Sequence, residues 1–264
     1  AHCTYCDFYK HLVGEGEQAK RFAQALTASI PLSARRVGIA GREVDTVYFG
    51  GGTPSLLNGA EVGRILDRLR SIFRIDPLAE ITLECNPEGA DEETLHGFLE
   101  RGVNRLSLGV QSFDDGVLAT LGRAHTAARA RQAFHQARRA GFDNLSLDLM
   151  LALPGQTLDG LRRDVETCVE LAPDHLSTYL LEMDKETALR ARIERGELAA
   201  PSEDEAGDMY ELVRAGLTGP GYAHYEVSNS ARRGARCRHN LKYWTDRPFA
   251  GFGPSAWSYL EAER

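Results

Sequence analysis

Long apolar runs are missing from this sequence. None approaches the roughly 18 residues a membrane-spanning helix needs, and the opening AHCTYCDFYK lacks the apolar core of a signal peptide. These absences predict a soluble, cytoplasmic protein with no membrane span. A lysine- or arginine-rich block is missing too: 38 Asp+Glu outnumber 31 Lys+Arg, for a net charge of −7, so no phosphate-backbone footprint is expected and nucleic acid is not a predicted partner. Cysteines are few and odd in number, five in 264 residues. A chain of that length buries a core without disulfide staples, so the cysteines are expected to serve metal binding or packing in a reducing compartment. No tandem repeat or low-complexity tract stands out.

What is present is an alternation of short β-branched or apolar runs with longer helical patterns, the signature of βα units around a parallel sheet. Strands are expected at Asp45 to Phe49, Glu80 to Glu84, Arg105 to Val110, Asn144 to Leu149 and His175 to Leu180. Between the first two, Val62, Ile65, Leu66, Leu69, Ile72 and Phe73 recur at helical spacing. Further helices are expected over Glu17 to Arg36, Glu92 to Arg101, Ala127 to Ala140 and Leu158 to Leu171, with Gly102 and Gly141 placed as C-terminal caps. After Leu181 the rhythm changes to a charged segment, a helix and a Gly- and aromatic-rich end. This suggests a barrel domain over residues 1–185 and an α+β appendage over 186–264.

Cys3 and Cys6, separated by two residues, can reach one metal or cluster. A structural zinc site of Cys3, Cys6, Cys237 and His239 satisfies the same spacing, since two thiolates and a distant C-x-H complete a tetrahedron. Cys85 adjoins a strand and Cys168 continues a helix face with Leu158, Leu161 and Val165, so both read as core cysteines.

Other residues cluster at expected strand ends. In VYFGGGTPSLL, Gly50, Gly51 and Gly52 follow a strand directly, where backbone without side chains can approach a ligand; no G-K-[ST] follows, so this is not a nucleotide-phosphate loop. Glu84, Gln111 and Asp148 end or approach the ends of three further strands, and Arg123 follows in LGRAH. Strand C-termini of parallel α/β barrels open on one face, so these groups can converge on a single ligand.

HCTYCDFY resembles the cluster loop of the radical S-adenosylmethionine superfamily, whose pattern is C-x-x-x-C-x-aromatic-C, with Tyr5 in the aromatic place. The resemblance implies a [4Fe-4S] cluster on Cys3, Cys6 and a cysteine before Ala1, so the chain is expected to be a fragment. It also implies that Gly51, Gly52 and Thr53 bind the methionine amino group of S-adenosylmethionine, and that Tyr5, Glu84, Gln111, Arg123 and Asp148 complete that cofactor's site.

The ordered series CDFY, GGGTPSLL, ECNPE, GVNRLSLGVQSF, LGRAH, DLMLALPGQT and HNLKYW further resembles the oxygen-independent coproporphyrinogen oxidase family, and within it the heme-chaperone HemW branch. Phe8 stands where the coproporphyrinogen dehydrogenases usually carry another cysteine, which favours the chaperone branch. In that branch H-N-x-x-Y-W is associated with heme, offering His239 as an axial ligand with Asn240, Tyr243 and Trp244 around the ring. The same cluster can equally fasten the C-terminal segment to the barrel.

The resemblance therefore implies an incomplete (β/α)6 barrel with a C-terminal appendage and a heme carrier acting on heme-accepting proteins. It also implies an electron donor, and it allows a membrane-associated acceptor. Radical decarboxylation of coproporphyrinogen III and radical heme methylation are the enzymatic alternatives.

Overall fold

A computed structural model describes residues 3–7 and 17–260. Ala1 and Phe8, on which the expected third cysteine and the expected branch turn, lie outside the described residues.

Five parallel strands run in sequence order across a curled half-barrel: β1 (Glu43–Phe49), β2 (Arg74–Cys85), β3 (Arg105–Gln111), β4 (Leu145–Leu151) and β5 (His175–Leu180). The sheet ends with β6 (Ala223–Glu226) and β7 (Asn229–Ala231); β7 pairs antiparallel with β5, and β6 forms the far edge. The helices that accompany the early strands are α1 (Glu17–Arg36), α2 (Gly59–Arg70), α3 (Glu92–Glu100), α4 (Asp115–Thr120), α5 (Ala127–Ala140) and α6 (Leu158–Leu171). After β5 come α7 (Ala188–Glu194), α8 (Glu203–Thr218) and α9 (Arg238–Trp244).

Local chemistry sets these boundaries. Asn58 and Glu61 close a capping box at the start of α2, and Asp91, Thr126 and Thr157 accept backbone N–H groups at the starts of α3, α5 and α6. Gly141 ends α5 at φ +106°, a conformation that favours glycine, as its position predicts.

One apolar cluster joins alternate strand residues, Leu106, Leu108 and Val110 of β3 and Leu145, Leu147 and Leu149 of β4, to Leu66, Leu95, Phe98 and Phe134 of the helices. Met209, Val213 and Leu217 of α8 belong to the same cluster, so the C-terminal segment packs on the core the barrel strands build.

Several elements differ from expectation, among them β6, β7 and α9, which form within the expected Gly- and aromatic-rich end. β2 begins at Arg74 rather than Glu80, because Arg74 and Ile75 pair with Glu43 and Val44 ahead of a register shift. This stretch is largely exposed, Leu78 at 81%, so it carries no burial period to read. α4 is a single short helix capped by Asp114, too short to show a helical repeat. Among the described residues no helix is long and apolar enough to cross a membrane.

Candidate functional site

From Glu80 to Cys85 of β2, along β3 and from Leu145 to Leu149 of β4, apolar and polar side chains alternate, and most of both classes are buried. The register aligns the polar set in rows: Thr46 opposite Glu80, Thr82 opposite Arg105, Glu84 opposite Ser107, Gly109 opposite Asp148, and Ser146 opposite His175. Because successive side chains point to opposite faces, the half-barrel is apolar towards the helices and polar on its concave face. Buried polar groups persist only when partnered or when a ligand completes them.

At the strand ends the cysteine loop is stitched down by backbone. Thr4 N–H donates to the Leu121 carbonyl at 3.1 Å, and Leu189 N–H donates to the Thr4 carbonyl at 2.8 Å, tying the loop to the end of α4 and the start of α7. Cys3 and Cys6 share one turn, with Cys6 N–H 3.5 Å from the Cys3 carbonyl, and both are partly exposed.

Arg123 organises the space below the loop. Nη1 donates to Cys3 Sγ at 3.2 Å and lies 3.5 Å from the Tyr5 hydroxyl; Nη2 donates to Asn86 Oδ1 and the Gly109 carbonyl, each at 2.8 Å. Gly109 permits this convergence, since a Cβ there would stand 3.1 Å from Gln111 Nε2, 3.4 Å from Asn86 Oδ1 and 3.6 Å from Arg123 Nη2. Gln111 reaches that position from φ +71°, where side chains are rare. Burial pushes the Tyr5 phenol up, against the pull of Arg123.

A second set lies at the ends of β1, β2 and β4. The Tyr48 hydroxyl donates to Glu84 Oε1 at 2.9 Å, the Gly51 backbone N–H also donates to Glu84, and Ser107 Oγ donates to Asp148 Oδ1 at 3.0 Å. Burial raises the Glu84 carboxyl to about 7, with Asp148 adding to the rise, and burial also raises Asp148. At Gly51 and Gly52 an added Cβ would meet nothing within 4 Å, so the backbone beside Glu84 faces open space.

The Glu84 shift has a stability consequence. Between about 4.5 and about 7 folded Glu84 keeps a proton that the unfolded chain has released. The folded state thus binds more protons there, and this contribution to stability is lost as pH rises through that window. Removing the group by Glu84→Gln should make the variant gain roughly 2 to 3 kcal/mol over the parent between about pH 5 and 8, read by urea unfolding at each pH. His239, shifted the other way, is common to both proteins and cancels in the difference. Parallel stability curves would contradict the assignment.

The HNxxYW motif forms α9, docked against the concave face from below. Glu80 accepts the backbone N–H groups of Arg238 at 2.9 Å and His239 at 3.0 Å, supplying the negative charge a helix N-terminus favours. His239 Nδ1 is 3.0 Å from Thr46 Oγ1, Nε2 is 3.1 Å from the Tyr243 hydroxyl, and the ring stacks on Tyr48. Burial lowers His239 to about 4, so its imidazole is neutral. Lys242 pairs with Asp45 at 2.5 Å and holds the helix to β1. Tyr243 and Trp244 remain 55% and 58% exposed, while Asn240 is half-buried and its N–H meets Cys237 Sγ at 3.5 Å.

The zinc set is not brought together. Cys237 is fully buried, its Sγ 3.5 Å from Glu80 Oε1, whereas Cys3 lies against Arg123. Among the described residues no three His, Cys, Asp or Glu side chains gather as metal ligands. Cys85 and Cys168 are buried in the apolar cluster, where burial pushes the Cys85 thiol up to about 12.

The structure therefore groups Tyr5, Gln111 and Arg123 in one set and Gly51, Glu84 and Asp148 in another beside it. Gly52 and Thr53 continue the Gly51 loop, and His239, Asn240, Tyr243 and Trp244 form a third group on α9. Sequence reasoning missed Asn86, Tyr48, Glu80, Arg105 and the buried chain Ser146, His175, Tyr225, in which His175 meets Ser146 Oγ and the Tyr225 hydroxyl at 2.8 Å each. Glu80, Arg105 and His175 belong to the period-2 polarity of EITLE, RLSLG and HLSTY, which marks one side of each strand as polar but does not say that this side is an interior.

The sequence profile of the Radical SAM superfamily matches residues 1–168. Heme chaperone HemW of Mycobacterium tuberculosis is 42% identical over 264 residues, an alignment covering 99% of this chain and 67% of that protein. The Bacillus subtilis heme chaperone HemW is 34% identical, with 99% and 69% covered. Among solved structures, coproporphyrinogen III oxidase from Escherichia coli superposes with a TM-score of 0.83 at 28% identity, over 98% of this chain and 62% of that one. The chain thus spans about two thirds of the length of these relatives. A parallel half-barrel with a cysteine loop over its strand ends, matched by profile over most of its length, is accounted for by kinship: the chain belongs to the radical SAM superfamily, in the family of the HemW proteins.

Proposed function

We propose that the protein binds a [4Fe-4S] cluster, S-adenosylmethionine and heme, and hands the heme to acceptor proteins in the cytoplasm, with an electron donor as a further partner. The observation that carries this reading is the joint presence, in a chain 42% identical to a curated heme chaperone, of a two-cysteine turn over the strand ends and, on α9, a His239–Tyr243 ring pair with an exposed Trp244 on the same helix.

The residues suit these groups. Cys3 and Cys6 offer two partly exposed thiols from one turn, to be joined by a cysteine before Ala1. The Arg123 guanidinium, 3.2 Å from Cys3 Sγ, sets positive charge where metal-bound thiolates concentrate negative charge, and its buried Nε has no partner among the described residues. Gly51 and Gly52, followed by Thr53, leave open backbone beside Glu84, and two half-buried carboxyls, Glu84 and Asp148, suit a ligand carrying an ammonium, a sulfonium and ribose hydroxyls. When bound, the cluster would supply single electrons to the sulfonium, and His239 would offer its imidazole nitrogen to the heme iron.

At the heme end Thr46 fixes His239 by Nδ1, which leaves Nε2 as the ligating nitrogen once the Tyr243 hydroxyl gives way. Neutral imidazole is the form that ligates a metal, and burial holds His239 neutral down to about 4. Trp244 and Tyr243 supply exposed aromatic area for a porphyrin face.

Hemin titration followed by its Soret band tests the reading: saturable binding is expected, weakened roughly tenfold by Trp244→Ala, with transfer to an added apo-hemoprotein. No saturable binding by the full-length protein would refute it. The likeness to a coproporphyrinogen III oxidase at TM-score 0.83 supports a second reading, radical decarboxylation of coproporphyrinogen III. Anaerobic incubation with that substrate and mass analysis of the tetrapyrroles decides, and unchanged substrate is expected.

A further inference from the structure

Tyr48 touches both candidate sites at once. Its hydroxyl donates to Glu84 Oε1 at 2.9 Å, and its ring stacks on His239 with centroids 5.0 Å apart and planes 26° apart. Strand geometry enforces the contact. Thr46 and Tyr48, two residues apart on β1, face the same concave side, and Thr46 Oγ1 holds His239 Nδ1 at 3.0 Å, which fixes the ring that Tyr48 meets.

The next turn of chain keeps the pair closed: a Cβ at Gly50 would stand 2.7 Å from Tyr48 Cε1 and 2.9 Å from Glu84 Oε1, closer than either atom tolerates. Below, Glu80 on the strand that carries Glu84 accepts the N–H groups that begin α9. Glu84 and His239 are thus linked through one half-buried side chain that touches them both.

We propose that Tyr48 is a positioning residue that couples S-adenosylmethionine occupancy at Glu84 to heme affinity at α9. This rests on the proposed reading of both sites. A cationic group of the cofactor beside Glu84 turns the Tyr48 hydroxyl bond into a charge-assisted one, which is shorter and stronger, and so holds the ring firmly on His239. An imidazole held in one orientation loses less freedom on ligating iron, so the two ligands favour each other. By linkage the effect is reciprocal and of equal size in both directions.

The test measures hemin affinity with and without saturating S-adenosylmethionine, and S-adenosylmethionine affinity with and without hemin, in cluster-reconstituted full-length protein. The expected result for the parent is a tightening of about fivefold or more in each direction, with a Soret shift on adding the cofactor. Tyr48→Phe keeps the stacked ring and deletes the hydroxyl. It should reduce the coupling below about twofold and abolish the Soret shift. Gly50→Ala, which wedges Tyr48 from Glu84 without touching either side chain's chemistry, should also reduce the coupling. Coupling as large in Tyr48→Phe as in the parent, or hemin binding in the parent with no coupling, overturns the proposal alone. Absence of hemin binding in the parent overturns it together with the functional reading.

Discussion

Replacing Arg105 with methionine should lower the melting temperature by roughly 10 °C, the largest stability loss expected from a single change on the concave face. Arg105 is 1% exposed, at the start of β3. Burial opposes its charge, and the surrounding Cys237, Tyr48, Glu80 and Asp148 groups more than offset that opposition, so the guanidinium stays charged. Methionine preserves most of the stem and removes the buried positive charge that the surrounding Glu80 and Asp148 groups favour. Removing one partner of a buried ionic set costs about 3 to 5 kcal/mol, because the other charge stays behind uncompensated. Adding Glu80→Gln, which removes the negative charge and keeps one of the two oxygens that accept the α9 N–H groups, should recover part of the loss. A methionine variant within about 1 kcal/mol of the parent would show that Arg105 compensates nothing.

Arg123→Leu should weaken S-adenosylmethionine binding by about a hundredfold and reduce the iron retained after anaerobic reconstitution. The guanidinium joins the cysteine loop, through Cys3 and Tyr5, to the strand-end groups Asn86 and Gly109. Each hydrogen bond to a charged group is worth about 1.5 to 3 kcal/mol, and leucine deletes all of them at once. Arg123→Lys should not rescue binding, since a single ammonium cannot reproduce a planar fork serving acceptors on two sides. Calorimetric titration checks this, and a lysine variant with the parent's affinity would show that only charge matters at this position.

Much of this architecture is legible in the amino-acid sequence. α1, α5 and α6 run where the apolar stripes place them, and β5 spans the expected His175 to Leu180, because amphipathic periodicity and caps such as Thr126 and Gly141 are local signals. The strand-end residues are legible for a topological reason: in a parallel βα array, whatever follows each strand faces one opening. The lower half of the concave face is not. Glu80, Arg105 and His175 sit early in their strands, and nothing local separates a buried arginine from a surface one. Only the register, which sets Thr82 opposite Arg105 and Ser146 opposite His175, shows that they share an interior. Cys237 reads as a metal ligand by its C-x-H spacing, yet its sulfur accepts the Asn240 N–H and lies against Glu80, capping α9. Spacing alone cannot tell a helix cap from a ligand.

One chain is expected to carry a cluster on its cysteine loop and heme on α9, at separable sites. Full-length protein reconstituted anaerobically with iron and sulfide, then titrated with hemin, tests this through two variants. Cys6→Ser should lose the iron and acid-labile sulfide and keep the Soret band, whereas His239→Ala should keep iron and sulfide and lose or strongly weaken the Soret band. Zinc in place of a cluster, or loss of both groups together in either folded variant, would contradict the account.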